Sequence, residues 1–328
     1  MSNEGAASRA PLATAIEDAD PTPTEVHVLD LGFQGLSHAI AAFLLIGPRG
    51  PVLVETGPAS TVDALAEGLA RHGVAPEDLH AALVTHIHLD HAGAAGWLAA
   101  RGVTIYVHPR GARHLVDPSR LLASAGQIYG ERLIPLWGQT LAVPVEQVIP
   151  VPAGASAWAG GLRFEAIETP GHARHHHAWR VGGTIFAGDV AGVRMPGSAL
   201  VAVPAVPPEF DPPAWRESIA SLAAAAPERL ALTHFGMVDD PQDHLRHLEA
   251  ELSAVVDFVR TAQAEGASRP ALIDAYVAWS RARVRSSGAS EAELARFEAA
   301  NPFAMSVDGV LGWLKRERRD LAADATPT

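Results

Sequence analysis

Three histidines and one aspartate occur within six consecutive residues in the first third of the chain. His86, His88, Asp90 and His91 follow the apolar run of residues 81–84, with Thr85 in between. Imidazole nitrogens and carboxylate oxygens are costly to gather at the edge of a hydrophobic core unless a cation accepts their lone pairs. The spacing therefore predicts a metal site at the end of a buried strand.

Further candidate ligands follow three other short apolar runs. His172 comes after residues 164–171, Asp189 after residues 184–188 and His234 after residues 230–233. Each run is typical of a buried strand, and the ends of strands in an α/β sheet are where loops converge to form sites. Seven nitrogen and oxygen donors exceed what one tetrahedral zinc ion needs, so the number of donors suggests two metal ions.

The order of these motifs resembles that of the metallo-β-lactamase-fold hydrolase superfamily. His-x-His-x-Asp-His is followed by Thr-Pro-Gly-His, by Gly-Asp and by a late Thr-His, between about residue 25 and about residue 240. Four ordered motifs are far more specific than a lone His-x-His. The resemblance implies that one ion is held by His86, His88 and His172 and a second by Asp90, His91 and His234, with Asp189 between them.

Two further positions matter for how the ligands are oriented. Residues 52–57 are similar to the first motif of the family, but Glu55 stands where the family usually has an aspartate. The resemblance implies that this carboxylate orients a ligating histidine through its other ring nitrogen, here with one extra methylene. His176 matches a family histidine that supports the ligands. His175 and His177 are expected to face solvent or a neighbouring loop.

The resemblance implies a hydrolase with two zinc ions, or with iron or manganese in their place. A hydroxide bridging the ions would attack a polarised carbonyl or phosphoryl group, and Asp90 could pass a proton to the leaving group. We predict cleavage of an ester, lactone or thioester bond in a small molecule. A small-molecule phosphodiesterase and an iron-dependent, dioxygenase-like redox enzyme are the alternatives, and a β-lactam substrate is less favoured because we see no export signal.

Two observations weigh against other kinds of metal protein. His88 stands where the flavodiiron relatives of the family have a glutamate, which favours zinc over iron. A metal-stabilised binding module without catalysis is disfavoured because structural zinc sites are usually rich in thiolates and this chain has no cysteine.

Composition limits the class of protein and its partners. A chain of 328 residues with 48% hydrophobic side chains can bury a large core. The net charge of -12, without a basic cluster interleaved with aromatic residues, predicts that nucleic acid is not a partner. No uncharged apolar run reaches about eighteen residues, so we expect no membrane span. With neither a basic start nor an apolar stretch in residues 1–24, we expect a cytoplasmic protein with a poorly ordered leader.

These patterns predict three parts of the chain. After the leader, residues 25–240 are expected to form the catalytic domain, of α/β (α+β) class. Its two strand-and-helix halves are consistent with the four-layer αββα sandwich that the resemblance implies. Residues 121–143 contain Tyr129 and Trp137. Either this segment is a loop over the site, or its aromatic side chains are buried in the core.

Residues 241–328 are expected to form a C-terminal helical extension, since their apolar residues recur at spacings of three and four. The extension is expected to cap the sandwich, to contact a small-molecule substrate or to form a homodimer. His244 and His247, on its first helix, are predicted to be surface residues.

Overall fold

Two six-stranded sheets pack face to face, and helices cover both outer faces. The structure, a computed structural model, describes residues 25–324. The fold is the predicted four-layer αββα sandwich with C-terminal helices. The expected leader, residues 1–24, lies outside the described residues.

The first sheet contains the strands of the N-terminal half in chain order. Their bounds are β1 Val26–Asp30, β2 Ala41–Gly47, β3 Gly50–Val54, β4 Ala81–Leu83, β5 Thr104–Val107 and β6 Val148–Pro150. The first three strands pair antiparallel, whereas β3 to β6 pair parallel. Because β3 and β4 run in the same direction, the residues that follow them emerge at the same edge of the sheet.

The second sheet also follows chain order. Its strands are β7 Ser156–Ala159, β8 Leu162–Glu168, β9 His177–Val181, β10 Thr184–Phe186, β11 Arg229–Leu232 and β12 Gly236–Val238. Neighbours pair antiparallel except β10 and β11, which pair parallel. The strands β8, β10 and β11 therefore run in one direction and end at one edge.

Side chains of β2 alternate between two layers of the core. Phe43 and Leu45 pack between the two sheets, whereas Ala42 and Leu44 pack against the helices outside the first sheet. This alternation follows from the two-residue period of a strand, and it explains why a strand buried on both faces is apolar throughout.

The helices are divided between the two outer faces. The N-terminal half contributes α1 Val62–Ala70, α2 Leu89–Ala92, α3 Ala95–Ala99, α4 Pro109–Val116, α5 Ser119–Tyr129 and α6 Leu133–Trp137. The C-terminal half contributes α7 Pro212–Ala224, α8 Pro241–Ala264, α9 Arg269–Ser286, α10 Glu291–Ala300 and α11 Phe303–Asp324. Most of residues 121–143, unassigned from the sequence, thus belongs to α5 and α6.

Between Pro241 and Asp324 the secondary-structure elements are four helices joined by short turns, as expected for the extension. Leu252 of α8 and Val310 of α11 belong to the same apolar cluster as Leu230 of β11, so these helices cover the outer face of the second sheet. A domain boundary at residue 240 and a homodimer formed through these helices stay predictions. Within residues 25–324, no helix is both long and apolar enough to cross a membrane.

His244 in α8 is completely buried, so the prediction that it is a surface residue is wrong. Its Nε2 donates a hydrogen bond of 2.7 Å to the backbone oxygen of Ala191, and burial lowers its pKa to about 4. The sequence carried a signal for this, because His244 precedes Leu248 and Leu252 at intervals of four residues and so shares their apolar helix face. The side chain of His247, by contrast, is 51% exposed, as predicted.

Replacing His244 with alanine is expected to lower the free energy of unfolding by about 1–3 kcal/mol, because the carbonyl of Ala191 loses its partner and a small cavity forms. The matched control, His247→Ala, is expected to change it by less than about 0.5 kcal/mol. Guanidinium unfolding curves measure both values. Equal midpoints for the two variants would contradict the packing described for α8.

Candidate metal centre

All seven predicted ligands lie at one edge of the two sheets. The loop after β4 and the short helix α2 carry four of them, and the segments after β8, β10 and β11 carry one each. The structure groups them as His86, His88 and His172 in one cluster and Asp90, His91, Asp189 and His234 in the other. Within each cluster the donor atoms lie within 4.8 Å of one another.

The first cluster contains three imidazoles. Nδ1 of His88 lies 3.0 Å from Nε2 of His86 and 2.9 Å from Nε2 of His172. Burial lowers the pKa of all three histidines, and burial together with His172 brings that of His88 to about 3. The rings are therefore neutral at pH 7, and their nitrogen lone pairs are available to a metal ion.

Backbone carbonyls orient two of the ligating rings. Nδ1 of His172 donates to the oxygen of Pro204 at 3.0 Å, and Nδ1 of His234 donates to the oxygen of Ala39 at 2.8 Å. A neutral imidazole carries one N–H, so in His172, whose pKa is lowered, this bond leaves a lone pair on Nε2, the atom that faces the cluster. The ring of His234 offers the same atom when a bound cation displaces its second proton.

The carboxylate of Asp189 lies between the two clusters. Its Oδ1 is 3.0 Å from Nε2 of His91 and 3.4 Å from Nε2 of His234, both in the second cluster. Its Oδ2 is 3.3 Å from Nε2 of His172, in the first. One oxygen therefore faces each cluster, which is the arrangement a bridging carboxylate needs. Asp90 completes the second cluster, with Oδ2 3.4 Å from Nε2 of His234.

The second cluster favours positive charge. Burial lowers the pKa of His91, but the carboxylates of Asp189, Asp90 and Glu55 outweigh it and raise the pKa well above the usual value. His234 behaves in the same way, since Asp189 and Asp90 raise its pKa to about 9 against the effect of burial. Carboxylates packed against buried rings thus create a negative potential that a cation would neutralise.

Buried polar atoms in this cluster also fit a metal ion. Nε2 of His91, Nε2 of His234 and Oδ1 of Asp189 are buried and satisfy no hydrogen-bond geometry with the described residues. Such atoms are costly in a protein interior unless a ligand, ion or water engages them. Together with the nitrogen- and oxygen-only donor set, they fit divalent transition metals.

Glu55 contacts one candidate ligand directly and a second through Thr85. It is buried directly after β3, and its Oε1 lies 3.3 Å from Nδ1 of His91, an ion-pair contact outside hydrogen-bond geometry. The same oxygen accepts a hydrogen bond of 2.6 Å from Oγ1 of Thr85, which lies 3.1 Å from Nδ1 of His86. No role for Thr85 was predicted from the sequence. A hydroxyl directly before the first ligating histidine was the available signal.

The other histidines of the third motif have different environments. Nδ1 of His176 lies 2.8 Å from Oγ1 of Thr169, and the ring of His176 is 4.9 Å from that of His86. That His176 supports the candidate ligands stays a prediction. His177 is completely buried and its ring lies 4.3 Å from that of Trp179, so the expectation that it faces solvent or a loop is wrong. His175 was expected to face either solvent or a neighbouring loop. It faces a loop, with its Nε2 3.7 Å from the carboxylate of Glu209.

A cavity of about 260 Å³ lies over the clusters, and His88, Asp90, His172 and Asp189 form part of its wall. Two parts of the chain that are distant in sequence form other parts of the wall. One is α5, with Tyr129 at its end, and the other is the junction between α10 and α11, with Met305. The hydroxyl of Tyr129 lies 3.8 Å from the sulfur of Met305, so the C-terminal helices help to enclose the site.

Comparison with known proteins agrees with this geometry. Residues 38–234 match the family model described as the metallo-beta-lactamase superfamily. A metallo-beta-lactamase fold-containing protein of Sulfurisphaera tokodaii is 30% identical over 175 residues, which cover 52% of this chain and 66% of that protein. Metallo-beta-lactamase domain-containing protein 1 of Rattus norvegicus is 54% identical over 48 residues, or 15% of this chain and 19% of that protein. The chain thus matches less than two thirds of either relative.

A solved structure shows the same fold along most of the chain. The crystal structure of a metallo-beta-lactamase family protein from Thermus thermophilus aligns with 89% of this chain and 94% of its own, with a TM-score of 0.62 and 21% sequence identity. At this identity the likeness concerns the fold alone.

Proposed function

Because the chain belongs to the metallo-beta-lactamase superfamily, we propose that it is a dinuclear zinc hydrolase that cleaves an ester, lactone or thioester bond in a small molecule. The superfamily fold and the candidate divalent-metal site support a metal-dependent enzyme in general. The observation that carries the proposal is the carboxylate of Asp189, whose two oxygens face the two clusters at 3.0 Å from His91 and 3.3 Å from His172.

The seven side chains divide into two sets of three with one shared ligand. His86, His88 and His172 would hold one ion, Asp90, His91 and His234 the other, and Asp189 both. Two bound zinc ions would lower the pKa of water so that hydroxide is available near pH 7, and as Lewis acids they would polarise a carbonyl oxygen. The predominance of imidazole donors supports zinc, with iron and manganese as the alternatives.

Asp90 is the residue that we assign to proton transfer. Its side chain is 18% exposed, compared with 5% for Asp189 and 1% or less for His91 and His234, and it lines the cavity. One carboxylate oxygen faces His234, which leaves the other able to accept a proton from water and donate it to the leaving group. The histidines act only as ligands.

The lining of the cavity supports an uncharged reacting group. Leu121, Ile128 and Met305 are among its apolar residues, and Arg120 is the only arginine or lysine among the described residues that line it. A phosphodiester would bring a permanent negative charge into this apolar space, and apart from the metal ions only Arg120 of these described lining residues could compensate its lost hydration. An acyl group enters without that cost, which favours carboxylic esters over phosphodiesters.

A hydrolysis screen tests the proposal. Protein of measured metal content is assayed with lactones, thioesters, aryl esters and bis-aryl phosphates. The control is the same protein after its metal has been removed by a chelator. We expect metal-dependent cleavage of at least one carboxylic ester class, and bis-aryl phosphates to be cleaved at least about tenfold more slowly. Preference for the phosphates, or no hydrolysis in any class, would contradict the proposal.

A further inference from the structure

A second cleft, of about 320 Å³, opens beside the cavity over the metal centre. Its seven lining residues are Pro109, Arg110, Arg113, His114, Arg174, His175 and Glu209. Two of its arginines lie three residues apart on α4, which places them on one face of that helix. The third arginine comes from the loop that follows the ligand His172. We refer to these seven residues as the arginine cleft.

Among the described residues, the guanidinium groups of the arginine cleft form no ion pairs. Within residues 25–324, no carboxylate oxygen lies within 4.0 Å of a guanidinium nitrogen of Arg110, Arg113 or Arg174, although arginines elsewhere form such pairs. The carboxylate of Glu209 is instead held by the backbone N–H of Arg174, at 2.9 Å. In a chain with a net charge of -12, three unpaired arginines in one cleft create a local positive potential.

The charge of one cleft arginine, Arg113, also contributes to the lowered pKa of a neighbouring histidine. Burial and the charges of Arg113 and Arg120 lower the pKa of His114, against smaller effects of Glu209 and Asp117. Nε2 of His114 accepts a hydrogen bond of 3.1 Å from Nε of Arg113, so the arginine has its other nitrogens free for a ligand. The cleft therefore has the charge and the donors that a carboxylate or phosphate needs.

The arginine cleft is continuous with the cavity over the metal centre. His114, His175 and Glu209 line both spaces. The ring of His175 lies 5.5 Å from that of the candidate ligand His88, so a molecule that extends past His175 reaches from the clusters to the arginines. The two spaces differ in character, because the cavity is mostly apolar and the cleft is basic.

We propose that the arginine cleft binds an anionic group on the alcohol or thiol part of the substrate, while the apolar cavity takes the acyl part. The inference rests on the proposed function for the reaction, and it adds the substrate class: an amphipathic ester or thioester whose leaving group carries a phosphate or a carboxylate. Arg110, Arg113 and Arg174 set specificity without contacting the scissile bond.

Two matched pairs of hexanoyl thioesters test this substrate class. The thioesters of N-acetylcysteamine and N-acetylcysteine differ by one carboxylate, and those of pantetheine and phosphopantetheine differ by one phosphate. We expect kcat/KM to favour the anionic member of at least one pair by about tenfold or more, through a lower KM. The pair that shows the preference identifies the anion, and added salt should reduce the preference because the cleft is open to solvent.

Substitutions test whether the arginine cleft is the part of the protein that causes this preference. The triple variant Arg110→Gln, Arg113→Gln, Arg174→Gln is expected to lose the preference, so the kcat/KM ratio within the pair falls by about tenfold. The matched control is Arg49→Gln, which removes one exposed arginine at the β2–β3 turn, at the opposite end of the first sheet. It is expected to keep the wild-type ratio. Partial loss of folded protein would lower both rates and leave the ratio unchanged.

Calorimetric titration with phosphopantetheine and pantetheine gives a readout that needs no hydrolysis. Tighter binding of the phosphorylated thiol, lost in the triple variant, supports the cleft even if no thioester is cleaved, and in that case only the proposed reaction fails. Hydrolysis with equal rates within both pairs overturns the arginine cleft and leaves the hydrolase standing. A preference that survives the triple substitution also overturns it, because the anion would then be bound elsewhere.

Discussion

Replacing Asp90 with asparagine is expected to lower kcat by at least about a hundredfold, the magnitude typical of a lost acid-base group. The amide keeps the shape of the side chain but cannot accept and return a proton. Asp90 also belongs to the second cluster, with Oδ2 3.4 Å from His234, so the affinity of that cluster for metal should fall as well. Steady-state kinetics at saturating metal and metal titrations measure the two effects separately.

Asp257→Asn is the matched control for this substitution. Asp257 lies on α8 with its side chain 72% exposed, and its nearest charged partner, Arg260, is 4.0 Å away. The same chemical change there is expected to leave kcat and metal affinity at wild-type values. If Asp90→Asn behaved like this control, Asp90 would be neither a ligand nor a proton carrier.

Replacing Glu55 with glutamine is expected to weaken metal affinity by about ten- to a hundredfold, because the ring of His91 loses the charge that orients it. The second cluster should lose its ion first, since Oε1 of Glu55 is 3.3 Å from Nδ1 of His91 and reaches His86 only through Thr85. Titration of the metal-free protein with zinc measures the two affinities.

Glu55→Asp is the sharper variant, because it restores the residue that the family usually has. Glu55 has a left-handed backbone, with φ of 64°, which an aspartate tolerates well. Any loss in this variant therefore reports the shorter reach of the side chain, and we expect affinity to fall here too. Glu67→Gln, on the exposed face of α1, is the control. Wild-type affinity in both Glu55 variants would show that the contact with His91 does not support metal binding.

The clustering of the seven candidate ligands was predictable because each of them follows a short strand. The pairings β3–β4 and β10–β11 are parallel, so polar residues after these strands emerge at one edge of the sandwich. The sequence motif and the predicted end of each strand were enough to predict that these candidate ligands lie near each other. The family resemblance implied that Glu55 orients a candidate ligating histidine, but the sequence did not indicate that this histidine is His91.

Features that depend on packing between distant segments were not predictable. The sequence did not indicate that Met305 meets Tyr129 over the cavity, because no local pattern specifies which helices come together. The burial of His177 depends on the register of β9, which places its ring against Trp179. The arginine cleft was missed for the same reason, since Arg174 is far from α4 in the chain and joins it only in the folded protein.

The two clusters with Asp189 between them are the basis of the proposed function, and the metal content of the purified protein tests that arrangement most directly. Elemental analysis of wild-type protein incubated with excess zinc and then freed of loosely bound metal should give two ions per chain. Asp189→Asn, measured in parallel, should give fewer than two, because the shared carboxylate loses its charge. One ion per chain in the wild-type protein after this treatment would contradict the dinuclear site.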